Sequence, residues 1–358
     1  MKKSLIVWAV LSAASGAAMA QSSVTLYGVA DIAIGKARSI GDQKWGVQSN
    51  TFVTNGGGSR IGLIGKEDLG GGLWAGFKFS GDVNLVNGAS ASNNLAGGNG
   101  PTWERSAYVA LGSNDFGTLK LGRNYSPGFT GQVVYELTGW ANYSVLAATY
   151  GFGGYFDLRN NAQIEYSSPS FYGVSAEIAY VPKAEGVLLF DGTNNRSDLW
   201  AMNVVYNQGP VKAAFTANKL NHTGTGGNAN KVNWTLGGSY TFGTNFVLAA
   251  SYNRTNYAMR WRAAHYGETN GYFSGYPIPL AGARRYGWEL GGSLLLKPFT
   301  ITLDLTRDTK NEAYGNNKKY TNGLLEGRYA LSKRTFLYAD YLRLDGDNNF
   351  GLGIHHSF

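Results

Sequence analysis

Hydrophobic residues recur at every second position along most of this chain. Between Val24 and Gly35, the residues Val24, Leu26, Ala30, Ile32 and Ile34 fall on one side of an extended strand, and Thr25, Tyr27, Asp31 and Ala33 on the other. The period returns in Phe299–Thr306, where Ile301, Leu303 and Leu305 alternate with Thr302, Asp304 and Thr306. Successive side chains of a strand point to opposite faces, so these segments read as sheet with one apolar and one mixed face. The pattern predicts sixteen strands, near 24–35, 58–66, 73–86, 103–112, 118–125, 158–167, 174–183 and 198–207 in the first half. The second half supplies 211–220, 231–241, 246–257, 284–296, 299–310, 320–329, 336–344 and 349–358. Their connections alternate in length: 67–72, 113–117, 207–210 and 297–298 are short, whereas 87–102, 126–157, 184–197 and 258–283 are long. An even strand count leaves both termini at the short-turn end.

A chain with one apolar face per strand and no apolar core to spare needs an apolar solvent outside. No segment after residue 20 reaches 18 consecutive apolar residues, which excludes a helical membrane protein. In hydrocarbon every backbone polar group must be paired, and the remaining spanning structure is a closed β-barrel. Composition agrees: 51 Gly against 8 Pro, with 14% aromatic residues, suits many short strands joined by Gly/Asn turns. The absence of Cys excludes a disulfide framework and any thiolate metal or redox centre. Met1-Lys2-Lys3, the apolar run Leu5–Leu11 and Ala18-Met19-Ala20 predict a cleaved signal peptide over 1–20, with the barrel occupying 21–358. Cleavage leaves 338 residues with 29 basic and 23 acidic side chains, a formal charge of +6. Export, alternating strands and a terminal aromatic, Phe358, together predict the Gram-negative outer membrane, reached through the periplasm.

The segments Ser22-Ser23-Val24-Thr25-Leu26-Tyr27-Gly28, Gly58–Leu73, Arg105–Leu111, Asp115–Arg123, Tyr329–Thr335 and Gly353–Phe358, in this order, resemble the Gram-negative general-diffusion porins, in particular the betaproteobacterial and neisserial branch. The resemblance covers essentially the whole chain after residue 20. It implies an all-β, 16-stranded antiparallel transmembrane barrel and a homotrimer in outer-membrane lipid and lipopolysaccharide. A long third loop, here about 126–157, would fold into the lumen as a constriction. It also implies that the barrel-assembly machinery reads Phe358 as an assembly signal.

By the same resemblance the basic residues of the pore wall fall on Arg60, Arg105 and Arg159, with Arg123 directly before the constriction loop in a less defined role. Arginine suits such a wall because it stays ionised and offers a planar fork of donors to carboxylate or phosphate. Fixed charge in a narrow passage focuses the field on counter-ions. The alternative is that individual arginines pair with lumen carboxylates or snorkel at the rim. The loop itself carries only Glu136 between Ser126 and Phe156, with Asp157 at its exit, fewer acids than the family's loop, which tilts the expectation towards anions. Asp31, Glu165, Glu177, Asp304, Glu326 and Asp340 fall on inward positions and could offset part of that field. Phe129, Val133, Val134, Tyr135, Trp140, Tyr143, Leu146, Tyr150 and Phe152 make the loop apolar enough to pack, either on the inner wall or outward on a neighbouring subunit. Tyr27, Trp74, Tyr108, Tyr166, Tyr180, Tyr240, Tyr252, Tyr338 and Phe358 are expected to form interfacial girdles.

The function expected is passive diffusion of small hydrophilic solutes and inorganic anions through a water-filled channel, with no cofactor, metal or nucleic acid. A substrate-specific channel for an organic anion or sugar remains open, as does a surface receptor or adhesin using the aromatics of 258–283. An outer-membrane hydrolase would need a nucleophile and base in mutual reach, and neither His222 nor His265 has such a pattern beside it.

Overall fold

The computed structural model describes residues 23–37, 45–55, 57–89, 102–152, 158–182, 198–221, 231–260, 278–313 and 317–358. The predicted signal peptide, His222, His265 and the aromatics Trp261, Tyr266, Tyr272, Phe273 and Tyr276 lie outside them. The first strands are β1 (Ser23–Lys36), β2 (Gly46–Gln48), β3 (Arg60–Gly70), β4 (Leu73–Asp82), β5 (Ser106–Ser113) and β6 (Gly117–Tyr125). Two short helices follow, α1 (Pro127–Val133) and α2 (Val145–Tyr150). Next come β7 (Arg159–Ser167), β8 (Val174–Val181), β9 (Asp198–Gln208), β10 (Val211–Asn221), β11 (Asn233–Phe242) and β12 (Phe246–Arg260). The chain closes with β13 (Ile278–Leu296), β14 (Phe299–Asn311), β15 (Thr321–Ala330), β16 (Thr335–Leu344) and β17 (Asp347–Ser357). Apart from the three-residue β2, these are the sixteen strands the alternation predicts.

Each long strand pairs antiparallel with its neighbours in sequence, and β1 pairs with both β3 and β17, which closes the sheet into a barrel. The seam runs Ala30 opposite His356 and Ile32 opposite Ile354. It ends in a reciprocal pair: Gly28 N–H donates to the Phe358 carbonyl at 3.0 Å, and Phe358 N–H donates to the Gly28 carbonyl at 3.1 Å. Gly28 is required there, because a Cβ on it would run into the Phe358 ring.

Burial follows the period of two. Along β14, Ile301, Leu303 and Leu305 are exposed while Thr302, Asp304 and Thr306 are buried; Leu303 is 51% exposed and Asp304 0%. The exposed face carries large apolar residues around the wall, among them Val109, Ile178, Leu236, Leu290 and Leu352. So continuous an apolar surface fits a bilayer, and not water. The girdle expectation needs correction for four of its aromatics. Tyr27, Trp74 and Tyr108 share the alternation of the inward Asp31, Asp82 and Ser106, and Tyr338 is fully buried against Asp31 and Tyr143. Aromatic identity does not select a face; register does. Tyr166, Tyr180, Tyr240, Tyr252 and Phe358 keep the outward face or an exposed end.

The polar inner face is buried largely by residues 126–152. Helix α1 starts where Ser126 accepts the Phe129 N–H at 3.3 Å and Pro127 stands in the first turn; α2 starts where Ser144 accepts the Ala147 N–H at 3.4 Å, and it stops at Gly151 with φ 75°. Helix α1 lies on β8, β9 and β10, and α2 on β12 to β16. Tyr135, Tyr143, Val145, Leu146 and Tyr150 are fully buried, each contributing roughly 1.5–3 kcal/mol of apolar burial. Gly237 leaves the space for Tyr135, since a Cβ there would meet the ring. The described residues 126–152 thus pack against strands β8–β10 and β12–β16 on their polar side.

Candidate functional site

Five successive strands, β3 to β7, bring a basic group together. Arg60 opens β3 directly opposite Asp82 at the end of β4. Arg105 precedes β5, and Arg159 opens β7 opposite Tyr125, the last residue of β6. Arg105 is buried; its Nη1 donates to the Gly57 carbonyl at 2.7 Å and to the Asp82 carboxylate, and its Nη2 lies 3.5 Å from the Tyr125 hydroxyl. Arg159 donates from Nη2 to the same hydroxyl at 3.1 Å, with its guanidinium 4.6 Å from the Tyr125 ring centre. Arg60 donates to the Gly58 carbonyl at 3.1 Å and interacts electrostatically with Arg105, Tyr125 and Asp82. Three guanidinium groups therefore share one inner-face carboxylate, Asp82.

Arg123 is turned away from this group. It pairs with Ala107 in an unbroken register, in phase with the outward Leu119 and Leu121, and it donates to the Glu104 carbonyl and the Asn161 side chain. Glu104 is on that side too, accepting the Asp82 N–H at 2.7 Å and lying near Gly81.

Among the described residues of the loop the one carboxylate, Glu136, serves its own backbone. It accepts the N–H groups of Thr138 at 2.9 Å and Trp140 at 3.0 Å, and the Thr138 hydroxyl at 2.5 Å. The bonds hold a turn in which Gly139 and Trp140 are both left-handed, φ 65° and 68°. That conformation is unfavourable for tryptophan and persists only where the surroundings fix it.

The carboxylates predicted to face inward do so, but they are covered or paired. Glu165 meets Lys120 at 2.7 Å, Asp31 meets His355 at 2.9 Å, and Glu326 meets Arg328 at 2.6 Å. Glu289, Asp304, Glu326 and Asp340 form a buried row on β13 to β16 behind the loop. Tyr143 donates its hydroxyl to Glu326, and Leu137 lies beside Asp304 where both would meet a Cβ on Gly291. Burial first, and then the neighbouring carboxylates, raise the phenol pKa of Tyr135, Tyr143 and Tyr150 above the ordinary tyrosine value.

Alternation alone did not single out three participants. Asp82 sits inward on β4 by the same parity as Lys78 and Ser80, a signal present in the sequence. Tyr125 was legible as a strand end, not as the ring that Arg105 and Arg159 share. The third is a buried network: Arg285 donates to Asp308 at 2.9 and 3.1 Å and to Asp345 at 3.0 and 2.5 Å. Among the described residues no group of three His, Asp or Glu side chains is placed to hold a metal ion.

Comparison with known proteins bears on all of this. The family model for Gram-negative porins matches residues 7–349. Outer membrane porin protein 32 of Delftia acidovorans is 39% identical over 196 residues, which span 50% of this chain and 49% of that one. The alignment thus spans about half the length of that relative. An outer membrane porin of Bordetella pertussis is 29% identical over the full length of both chains. Among solved structures, the anion-selective porin from Comamonas acidovorans superposes with a TM-score of 0.68 at 24% identity, over 94% of this chain and 100% of that one. The chain belongs to the Gram-negative porin family, and its place is the outer membrane.

Proposed function

We propose that this porin forms a water-filled channel for passive diffusion of small hydrophilic solutes, that residues 126–157 narrow it, and that Arg60, Arg105 and Arg159 make it prefer anions. The observation that carries the reading is the imbalance of charge among these groups. Three arginines share Asp82, while Glu136 of the loop is taken up by the Thr138 and Trp140 backbone. The inner-wall acids that could offset the arginines are buried behind the loop or already paired. A solved porin of the same fold is named anion-selective, which agrees in sign. Arg123 has no part in this wall, and Glu136 acts by shaping the loop. The channel works as a homotrimer without a cofactor and catalyses no reaction. The paired terminal Phe358, exposed at the seam, serves as the assembly signal.

In mechanism, an anion entering the barrel exchanges part of its hydration for the guanidinium forks, while a cation meets the same field as a barrier. The test is the zero-current potential of refolded protein in a planar bilayer across a potassium chloride gradient. The reading expects ohmic conductance in groups of three steps and a potential of the sign set by chloride. A potential of the sign set by potassium would overturn the anion preference, and a folded barrel without conductance would overturn the channel.

A further inference from the structure

We infer that the arginine wall and the aromatic rings beside it form one site that favours flat organic anions, aromatic carboxylates above all; this rests on the anion-preferring passage proposed above and names the solute class it selects. The Tyr125 ring lies between Arg159, 4.6 Å from its centre, and Phe129, stacked at 4.4 Å and 16°. From Phe129 the tier continues to Trp140 at 4.3 Å, and Phe152 closes it, 5.5 Å from Trp140 and 5.9 Å from Phe129.

These rings are not the ones that fasten the loop to the wall. Tyr135, Leu146 and Tyr150 do that, and they are fully buried, whereas Tyr125, Phe129, Trp140 and Phe152 each keep part of their surface outside the packing. On α1 the buried side is Pro127, Gly128, Gly131 and Gln132, which leaves Phe129 on the other, half-buried side. The tier is also continuous with the charge: a Cβ on Gly57 would touch both the Trp140 carbonyl oxygen and Arg105 Nη2, at 3.4 and 3.7 Å.

Two further features point to a ligand. Arg159 Nε–H and the Trp140 indole N–H are both shielded from solvent and have no acceptor among the described residues. Trp140 is also held left-handed by Glu136, a conformation glycine would adopt more easily, so loop geometry alone does not explain a bulky ring there. A carboxylate fits the guanidinium fork in its own plane, and a ring attached to it would continue the stack of Tyr125 and Phe129. Acetate could use only the first half of such a site.

The test compares potassium salts of benzoate, cyclohexanecarboxylate and acetate as blockers of chloride current through wild-type channels. Benzoate should halve the current at a concentration roughly five- to tenfold below either of the others, as expected for ring stacking beyond simple burial. In Phe129→Leu and Trp140→Leu that advantage should shrink to about twofold or less. Equal block by benzoate and cyclohexanecarboxylate in the wild type would overturn the inference without any variant having to fold, as would an advantage that survives both substitutions. The zero-current potential of the same wild-type channels separates the two levels. A chloride sign without a benzoate advantage removes this site alone, and a potassium sign removes the anion passage beneath it.

Discussion

Replacing Arg60 and Arg159 together by glutamine should remove most of the anion preference while leaving the barrel intact. The pair is chosen because Arg105 is buried against Asp82, and removing it would leave that carboxylate without its partner. The three arginines and Asp82 sum to +2, and the double substitution takes the group to zero. A unit charge about 7 Å from an ion in water interacts by about 0.6 kcal/mol, and screening at 0.1 M salt halves this to about 0.3 kcal/mol. Two such charges favour the anion by about 0.6 kcal/mol and disfavour the cation equally, so the permeability ratio should fall about sevenfold. At 0.01 M salt, where screening reaches about 30 Å, the same sum gives about 20-fold. The zero-current potential of mutant and wild type at both salt concentrations measures it. A ratio that does not change on mutation, or a change that does not grow as salt is lowered, would refute the charge argument.

The remaining predictions concern what holds the wall and the loop. Arg285→Met should destabilise the barrel by about 3–5 kcal/mol, because Asp308 and Asp345 would then be buried with no cation between them; a urea unfolding midpoint equal to that of the wild type would contradict it. The raised phenol pKa values of Tyr135, Tyr143 and Tyr150 contribute stability that is fully present below the unfolded value of 10.0 and is lost as pH rises through the folded values. Ultraviolet titration of the folded protein should therefore leave at least these three of the 23 tyrosines silent near pH 10, and complete ionisation there with the barrel still folded would contradict the packing of the loop.

The strands were legible because each repeats one simple choice, apolar outward and polar inward, and burial enforces that choice at every turn of the pleat. Leu303 and Asp304 show it side by side. The convergence of Arg60, Arg105 and Arg159 was reached through resemblance, since alternation places each on a face but says nothing of distance across the five strands β3 to β7. Arg123 was legible by alternation: it keeps the phase of Leu119 and Leu121, which face outward, and it was the resemblance, not the pattern, that had set it beside the pore. Glu136 could be counted from the sequence but not weighed, because its effect depends on which N–H groups the loop turns towards it. The helices α1 and α2 carry serine caps, a signal present in the sequence yet too short to stand out from a loop of about thirty residues.

The central claim is that the segment around α1 forms the narrow, anion-attracting part of the channel. The chain has no cysteine, so Val133→Cys on the unpacked side of α1 would carry the only thiol. Open channels would be exposed to a sulfonate-bearing and then to a trimethylammonium-bearing methanethiosulfonate reagent while current is recorded, with mass spectrometry to confirm modification. The account predicts that modification lowers the conductance and that the anionic reagent reacts several times faster. Complete modification with unchanged conductance, or a faster reaction with the cationic reagent, would contradict it.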